Sequence, residues 1–417
     1  MPDRYDVIIA GAGVSGLMAA GTAAGEGARV LLLEKMEKPA RKLRITGKGR
    51  CNLTNTRSAE HFLEKVRSGA EFVRPAFNGF DNRATADFFE SIGVPLMLER
   101  GERIFPENGR AWDVAEALIK WAKAEGVVIE TESPVENLLI RNGKIAGVVT
   151  AGGKRFHVPG VILATGGVSY PSTGSSGDGH RIALEAGHTI EPLRPALVPL
   201  VIPDPERFRG LHLHNVELSL IVGGKTAERR FGEMEFTPSS ISGPIVLQVS
   251  RTAVDSITDG LETKVSIDLK PALDETKLMA RIDRETAALH SAAIRILLQK
   301  LSPSPLHREI ARQSGLDLSH TVPSLGQDDK VSLARTLKGL EFPVTDYRPF
   351  TEAIITAGGV ELSQVDPLTM ESKLVEGLYF AGELLDIDAD TGGFNIQLAC
   401  STGRMAGVSA AKRRAGP

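Results

Sequence analysis

The chain has 417 residues, of which 42% are hydrophobic and 24% are charged. This composition is typical of a globular protein of two or three domains, and it excludes a disordered chain, a collagen-like chain and a disulfide scaffold. Lysine and arginine number 49 against 52 aspartate and glutamate residues, so the net charge of −3 gives no global basic field of the kind that indicates nucleic-acid binding.

Glycine is over-represented, because its 43 residues make up about a tenth of the chain against a usual share of about 7%. The surplus is concentrated in residues 11–27, 47–49, 166–179 and 382–407. Glycine permits close backbone approach and left-handed turns. These four segments are therefore expected to be places where backbone touches a ligand.

The uncharged stretch 7–25 has the apolar character of a signal peptide or a membrane helix. Asp3 and Asp6 lie where a signal peptide needs positive charge, and glycines interrupt any helix long enough to cross a bilayer. The two cysteines, Cys51 and Cys400, form no CxxC pair, which argues against a redox dithiol or an oxidising compartment. We therefore expect a cytoplasmic protein with no membrane partner.

The N-terminal segment fits a βαβ unit in which an apolar strand leads into GAGVSG (11–16), a helix and a second strand that ends at Glu34. Gly11 permits a tight turn, Gly13 allows backbone to approach a pyrophosphate, and Gly16 allows the helix to pack closely on the strand. The amides at the helix N-terminus attract phosphates, and an acid at this distance accepts hydrogen bonds from a ribose. The pattern predicts a dinucleotide site.

Two later segments repeat the pattern of an apolar strand that ends in glycine. VILATGG (161–167) precedes a turn-rich segment and a helix, and GLYFAGE (377–383) precedes a loop with Gly392 and Gly393. A helix is predicted to begin near Asn395, and its amides would form a second oxyanion-type nest. No second GxGxxG follows a strand, so the chain is not expected to house a nicotinamide in a domain of its own.

These elements together resemble the FAD-binding fold of glutathione-reductase-like and fumarate-reductase-like flavoproteins. In those proteins the C-terminal acid holds the ribityl chain, and the following helix stabilises negative charge at the flavin's pyrimidine edge. Four further segments make the resemblance specific to one family. They are RKLRITGKGRCNLTN (41–55), FTPSSISGPIVLQVSR (236–251), TAGGVEL (356–362) and the segment 369–395. With them the chain resembles the YhiN/BaiN-like family of FAD-dependent oxidoreductases over essentially its whole length.

The resemblance implies an α/β fold with an interrupted cofactor domain. A Rossmann-like, glutathione-reductase-like FAD-binding domain is expected at 1–193 and 343–417. A β-rich, barrel-like insert is expected at 194–273 and about 328–342, with a small helical domain at 274–327. The resemblance also implies non-covalent FAD.

The sequence of the insert agrees with this layout. Alternation of apolar and polar residues predicts strands at 211–222, 226–237 and 262–269. Apolar residues from Leu289 to Leu301 fall at helical spacing and predict a helix there.

The motifs and the resemblance together imply a set of FAD-binding residues drawn from both ends of the chain. They are Gly11, Gly13, Val14, Ser15, Gly16, Glu34, Lys35, Arg41, Lys42, Thr46, Gly47, Gly49, Arg50, Cys51, Asn52, Val135, Ala164, Thr165, Gly166, Gly167, Gly382, Glu383, Gly392, Gly393, Phe394, Asn395 and Ile396.

The segment 38–57, here called the basic segment, contains seven cationic residues and no acid. They are Lys38, Arg41, Lys42, Arg44, Lys48, Arg50 and Arg57. One interpretation is a solvated charge run. Another is a loop that covers the FAD pyrophosphate, with surplus charge that recruits an anionic substrate, RNA being one candidate. The second interpretation predicts that charge reversal at Arg44 and Lys48 weakens turnover without loss of flavin.

The catalytic residue is unknown from the sequence. Cys51, Tyr170 and His180 are candidates for a nucleophile or proton donor, but a packing or capping role is favoured for each. Where the family usually has a Thr-His pair followed two residues later by glycine, this chain has Thr237, Pro238 and Ser240. The histidine of the family pattern is therefore replaced by Pro238 in this chain.

No metal site is expected. Asp386, Asp388 and Asp390 alternate, but the loop lacks the glycine and the terminal glutamate of a calcium loop. His212 and His214 share one face of a predicted strand without the further ligands that zinc needs.

The predicted function is that of an FAD-dependent oxidoreductase in which hydride passes through flavin N5. The direction favoured is reduction of an activated C=C bond, with NAD(P)H as a transient electron donor. The alternatives are an amine or alcohol oxidase that uses oxygen, and an RNA-binding flavoprotein that reduces uridine in ribosomal RNA. Family members have been assigned each of these kinds of activity except alcohol oxidation, so the resemblance does not choose among them.

Overall fold

A computed structural model describes residues 5–413, so the predicted domain limits at residues 1 and 417 lie outside the described part of the chain. Thirteen α-helices lie within this range. They are α1 Val14–Gly25, α2 Arg41–Ile45, α3 Ala59–Leu63, α4 Ala70–Gly79, α5 Asn82–Ser91, α6 Ala111–Ala124, α7 Asp178–Glu185, α8 Pro244–Thr258, α9 Glu275–Ala288, α10 Ile294–Leu301, α11 His307–Ser314, α12 Gln327–Lys338 and α13 Phe394–Ala411. In the same range, no helix is both long enough and apolar enough to span a membrane.

The strands are mostly short. They are β1 Val7–Ala10, β2 Val30–Leu33, β3 Thr54–Asn55, β4 Val66–Ser68, β5 Leu96–Glu99, β6 Arg103–Pro106, β7 Val128–Glu130, β8 Val135–Arg141, β9 Lys144–Thr150, β10 Arg155–Phe156, β11 Gly160–Leu163, β12 Arg194–Ala196, β13 Leu200–Val201, β14 His212–Val222, β15 Lys225–Phe236, β16 Ile241–Ser242, β17 Thr263–Asp268, β18 Leu340–Pro343, β19 Asp346–Tyr347, β20 Ile355–Ala357, β21 Leu378–Phe380 and β22 Asp388–Ala389.

The chain divides into two units. The first runs to Arg194 and resumes at Ile354, and the second is Pro195–Ala353. The sequence predicts the return to the first unit at residue 343, which is earlier than the structure places it. The second unit continues because β19 pairs with β13 through Leu200 and Tyr347.

The first unit is built on a five-stranded parallel sheet with the order β21-β11-β1-β2-β7. The strands VIIA, VLLL, GVIL and LYF are buried along their whole length. Continuous apolar strands of this kind form parallel sheets that are covered on both faces. From β1 the chain moves to β2 and β7 on one side, and it later adds β11 and β21 on the other. The predicted Rossmann-type α/β fold is confirmed.

Helix α13 packs against α1 at a distance that only glycine allows. A Cβ added at Gly403 would lie 2.4 Å from the carbonyl oxygen of Ser15, and one added at Gly407 would lie 2.5 Å from that of Ala19. The two glycines are four residues apart and therefore lie on one face of α13. The C-terminal helix is thereby fixed beside the helix that opens the chain.

The second unit contains a seven-stranded antiparallel sheet with the order β18-β17-β14-β15-β16-β13-β19. The predicted strands at 211–222, 226–237 and 262–269 correspond to β14, β15 and β17. Sheet residues such as Leu218 and helical residues such as Leu278 belong to one hydrophobic core. A separate helical domain beginning at residue 274 stays a prediction.

The helix predicted from Leu289 to Leu301 is present only from Ile294, as α10, and its predicted start is wrong. Helix α9 ends at Ala288 and α10 begins at Ile294. Between them Ala293 forms an antiparallel bridge with Thr321, and the amide of Ile294 donates to the carbonyl of His320 at 3.1 Å. This tertiary pairing interrupts a run whose apolar spacing is helical.

We expect Gly407→Ala to lower the free energy of unfolding by about 1–3 kcal/mol, because the new methyl group would overlap backbone of α1. Gly79→Ala is the control. Gly79 is the last residue of α4, and a Cβ there has no heavy atom within 4 Å. Urea unfolding of both variants checks this, and equal stabilities would contradict the close packing of α1 on α13.

Candidate cofactor site

The glycine-rich loop lies at the carboxyl end of β1, between β2 and β11. A Cβ added at Gly11, whose φ is +98°, would lie 2.6 Å from the carbonyl oxygen of Ala164, and one at Gly16 would lie 1.8 Å from that of Gly11. Gly13, by contrast, has no heavy atom within 4 Å of an added Cβ. Gly11 therefore lets the loop pack against the end of β11, and Gly16 lets α1 pack against the loop. Gly13 leaves open space before α1, which begins at Val14.

Glu34 follows β2 and is bound to this loop. Its buried carboxylate accepts hydrogen bonds from the amide of Ala12 at 2.7 Å and from the amide of Met36 at 2.9 Å. The next residue, Lys35, extends to Asp178 at the start of α7, with 2.7 Å between the ammonium nitrogen and the carboxylate oxygen. The loop, the acid and the N-terminus of α7 thus form one edge of the site.

Glu383 is the centre of the opposite edge. Its carboxylate accepts hydrogen bonds from the ammonium of Lys42 at 2.9 Å, the hydroxyl of Ser169 at 2.8 Å and the amide of Thr356 at 2.8 Å. Ser169 and Thr356 are fully buried, and Lys42 also donates to the Ser169 hydroxyl at 2.6 Å. A Cβ at Gly167 would lie 2.3 Å from the Thr356 hydroxyl, so only glycine fits beside this network.

The RCNLTN segment closes on the N-terminus of α13. A Cβ at Gly393 would lie 2.6 Å from the backbone of Thr54, and the Asn55 side chain donates to the carbonyl of Gly392 at 3.0 Å. When the Asn52 side chain is oriented with its amide oxygen toward Gly393, that oxygen accepts a hydrogen bond from the backbone amide of Gly393 at 3.2 Å. The ring of Phe394 packs in the core, so at this residue only the backbone can face the candidate cofactor site.

These residues fit a dinucleotide flavin. Open space at Gly13 beside the N-terminus of α1 suits a pyrophosphate, and Glu34 suits a ribose. Within residues 5–413 the buried hydroxyl of Thr165, at the end of β11, has no hydrogen-bond partner. Glu383 and the start of α13 lie where the ribityl chain and the pyrimidine edge are expected. FAD would be held by groups from both ends of the chain.

The structure changes the interpretation of the basic segment, because five of its seven cations are already paired with carboxylates. The pairs are Arg41 with Glu37, Lys42 with Glu383, Arg44 with Glu116, Arg50 with Glu99 and Arg57 with Glu102. All five of these acids lie outside the segment, so its charge surplus is largely neutralised by the fold.

Arg44 is therefore a wrong choice for a substrate contact. Its side chain is only 10% exposed, bonds Glu116 at 2.8 Å and lies 3.9 Å from the ring centroid of Trp112. Lys38 and Lys48 are exposed and form no ion pair among residues 5–413. Lys48 has left-handed backbone, with φ +57° and ψ 36°, which costs a residue other than glycine about 1–2 kcal/mol.

The three catalytic candidates differ in accessibility. Cys51 is fully buried, and burial raises the pKa of its thiol to about 12, so it is a packing residue rather than a nucleophile. His180 is 5% exposed, burial lowers its pKa, and neither ring nitrogen has a hydrogen-bond partner within residues 5–413. Tyr170 is partly exposed, directly follows Ser169 and has a positive φ of +50°.

Several side chains in the predicted FAD set have other partners. Arg41 lies 2.7 Å from Glu37, and Arg50 lies over the ring of Phe105 at 4.7 Å. Val135 is buried at the start of β8, and the Thr46 hydroxyl donates to the carbonyl of Lys42. Their roles toward FAD stay predictions.

Sequence reasoning missed Ser169, Thr356 and Asp178. Ser169 follows the ATGG strand end, and Thr356 opens the TAGGVEL motif. Both residues lie in or next to motifs that the sequence shows, but nothing in either motif indicates that Ser169 and Thr356 form hydrogen bonds with Glu383. That meeting depends on the sheet order.

The turn that departs from the family pattern is internally bonded. The Thr237 hydroxyl lies 2.7 Å from the Ser240 hydroxyl, and Ser240 is buried. Elsewhere, Asp386 accepts from Ser68 and Gly358, which gives it a structural role. Across the described part of the chain, no group of three or more His, Cys, Asp or Glu side chains is arranged to hold a metal ion.

Comparison with known proteins assigns the family. Residues 5–409 match the family model described as the HI0933-like protein Rossmann domain. The chain is 33% identical over 411 residues to a 3-dehydro-bile acid delta(4,6)-reductase of Clostridium scindens, covering 97% of this chain and 98% of that protein. It is 27% identical to a ribosomal RNA dihydrouridine synthase of Escherichia coli, covering 96% of each chain.

Solved structures show the same fold at low sequence identity. A 3-ketosteroid-delta4-(5alpha)-dehydrogenase of Rhodococcus jostii has a TM-score of 0.56 at 18% identity, with 98% of this chain and 97% of that chain covered. A 3-ketosteroid delta1-dehydrogenase of Sterolibacterium denitrificans has a TM-score of 0.53 at 13% identity, with 98% and 99% covered. The chain belongs to the HI0933-like family and is an FAD-dependent oxidoreductase with a Rossmann-type cofactor domain.

Proposed function

We propose that this protein reduces a carbon–carbon double bond conjugated with a carbonyl group, using NAD(P)H as electron donor. The observation that carries this proposal is 33% identity over nearly the full length of a reductase of 3-dehydro-bile acids. The arrangement of the glycine-rich loop, Glu34 and Glu383 supports a flavin-dependent reaction. When bound, FAD supplies the hydride.

A conjugated carbonyl is required because hydride addition at the far carbon leaves negative charge that the carbonyl oxygen can accept. A proton must then reach the neighbouring carbon. Cys51 and His180 are buried, so Tyr170 is the remaining side chain among the three candidates for this role. It directly follows Ser169, which bonds Glu383, and its left-handed backbone is the kind of strain that clusters at functional sites.

Reduction of uridine in ribosomal RNA is the second candidate. It uses the same chemistry, because the uracil double bond is conjugated with a carbonyl group. Two ribosomal RNA dihydrouridine synthases, of Escherichia coli and Haemophilus influenzae, are each 27% identical over 96% and 99% of this chain. Neutralisation of five of the seven cations in the basic segment favours a small-molecule substrate.

The direction of the reaction is tested by anaerobic reduction of the yellow protein with NADH and NADPH in turn, followed by an enone. We expect bleaching by one nucleotide and rapid return of the flavin colour with the enone. Tyr170→Phe should bleach normally and return about a hundredfold more slowly. Fast return of colour in air with no response to an enone would instead establish an oxidase.

FAD binding is tested with Lys42→Gln and Glu383→Gln. Both changes break hydrogen bonds to a charged group at the cofactor edge, so we expect the dissociation constant for FAD to rise about tenfold to a hundredfold. Lys38→Gln is the matched control, because Lys38 belongs to the same basic segment, is exposed and forms no ion pair within residues 5–413. Equal effects of Lys42→Gln and Lys38→Gln in a fluorescence titration would refute the role of the Lys42 and Glu383 pair.

A further inference from the structure

The basic segment contacts residues of the candidate cofactor site at two points, and a turn lies between these two contacts. Before the turn, Lys42 on α2 bonds Glu383 at 2.9 Å. After it, Thr54 lies against Gly393 at the start of α13. The turn between them, residues 46–49, is therefore held at both ends against groups that face the cofactor.

Lys48 occupies the centre of this turn in an unfavourable backbone conformation. Gly47, Lys48 and Gly49 have φ values of +59°, +57° and +88°. Glycine adopts such angles freely, whereas a lysine is strained by its Cβ. Strain kept between two glycines at the edge of a binding site points to a functional reason for the side chain.

The charge of Lys48 is available for a ligand. Lys48 is exposed and has no ion pair within residues 5–413, whereas five other cations of the segment are paired with carboxylates. Space around the turn is also open. A Cβ at Gly49 would have no heavy atom within 4 Å, and the nearest atom to one at Gly47 is the Asn52 nitrogen at 3.6 Å.

We propose that the ammonium of Lys48 binds a carboxylate group of the substrate and so selects acidic compounds. This inference rests on the proposed reduction of a conjugated double bond. A single ammonium at the tip of a turn acts as a point charge, so it suits a carboxylate remote from the reacting carbons. The other exposed and unpaired cation of the segment, Lys38, lies before α2 and outside the turn.

The test compares a 3-oxo-Δ4 bile acid with its methyl ester as substrates of the FAD-loaded protein. We expect Lys48→Gln and Lys48→Gly to raise KM for the acid about tenfold while KM for the ester stays unchanged. Lys38→Gln removes the same charge from a residue with ordinary backbone and should change neither KM. Lys48→Gly should also unfold at a temperature no lower than the wild-type protein, because glycine relieves the strained turn.

Equal changes of KM for acid and ester, or an equal effect of Lys38→Gln, would overturn the assignment of Lys48. If the wild-type protein reduces neither compound, the proposed function fails, and binding is then measured by titrating each compound against the flavin absorbance. A preference for acid over ester that disappears in Lys48→Gln still supports the carboxylate contact. A preference that persists in this variant, or no preference in the wild-type protein, refutes it.

Discussion

The hydrogen bonds to the carboxylate of Glu383 are the interactions on which the rest of the site depends. This carboxylate accepts from the ammonium of Lys42, the hydroxyl of Ser169 and the amide of Thr356. Lys42 is 341 residues away from Glu383 in sequence. Removing a partner from such a network leaves a partly buried charge without compensation, which is far more costly than loss of an exposed pair. The cofactor edge can therefore form only after the two ends of the chain have come together.

Close approach of backbone explains why glycine is so abundant at this junction. A Cβ at Gly11, Gly393 or Gly403 would overlap backbone of another segment, whereas one at Gly187 or Gly210 would meet nothing within 4 Å. The surplus of glycine thus has two origins. Some glycines lie in surface turns that need left-handed backbone, and others lie at contacts between segments distant in sequence. The second kind brings α1, α13 and the RCNLTN segment together at the candidate cofactor site. Gly13 is different from both, because the space beside it suits a ligand.

Much of the first unit could be predicted from the sequence because its signals are local. Apolar strands followed by glycine, and an acid at the end of the second strand, specify the βαβ unit without knowledge of the rest of the chain. Helix α13 was expected near Asn395 and begins at Phe394, since the preceding glycines mark its start. The two edges of the site follow from these elements once the order of the parallel sheet is known.

The remaining features depend on partners that are distant in sequence. The basic segment looked like surplus charge because Glu99, Glu102, Glu116 and Glu383 are far from it along the chain. Burial of Cys51 and His180 removes two catalytic candidates, and no local pattern distinguishes a buried thiol from a reactive one. The break before Ile294 has the same cause, because the backbone there pairs with a segment almost thirty residues later.

Hydrogen exchange with and without FAD tests most directly the claim that both ends of the chain form one cofactor site. We expect FAD to slow amide exchange together in residues 11–17, 164–170 and 382–397, since the loop after β1, the end of β11 and the start of α13 would all contact the cofactor. Protection confined to residues 11–34, with exchange in 382–397 unchanged, would contradict it.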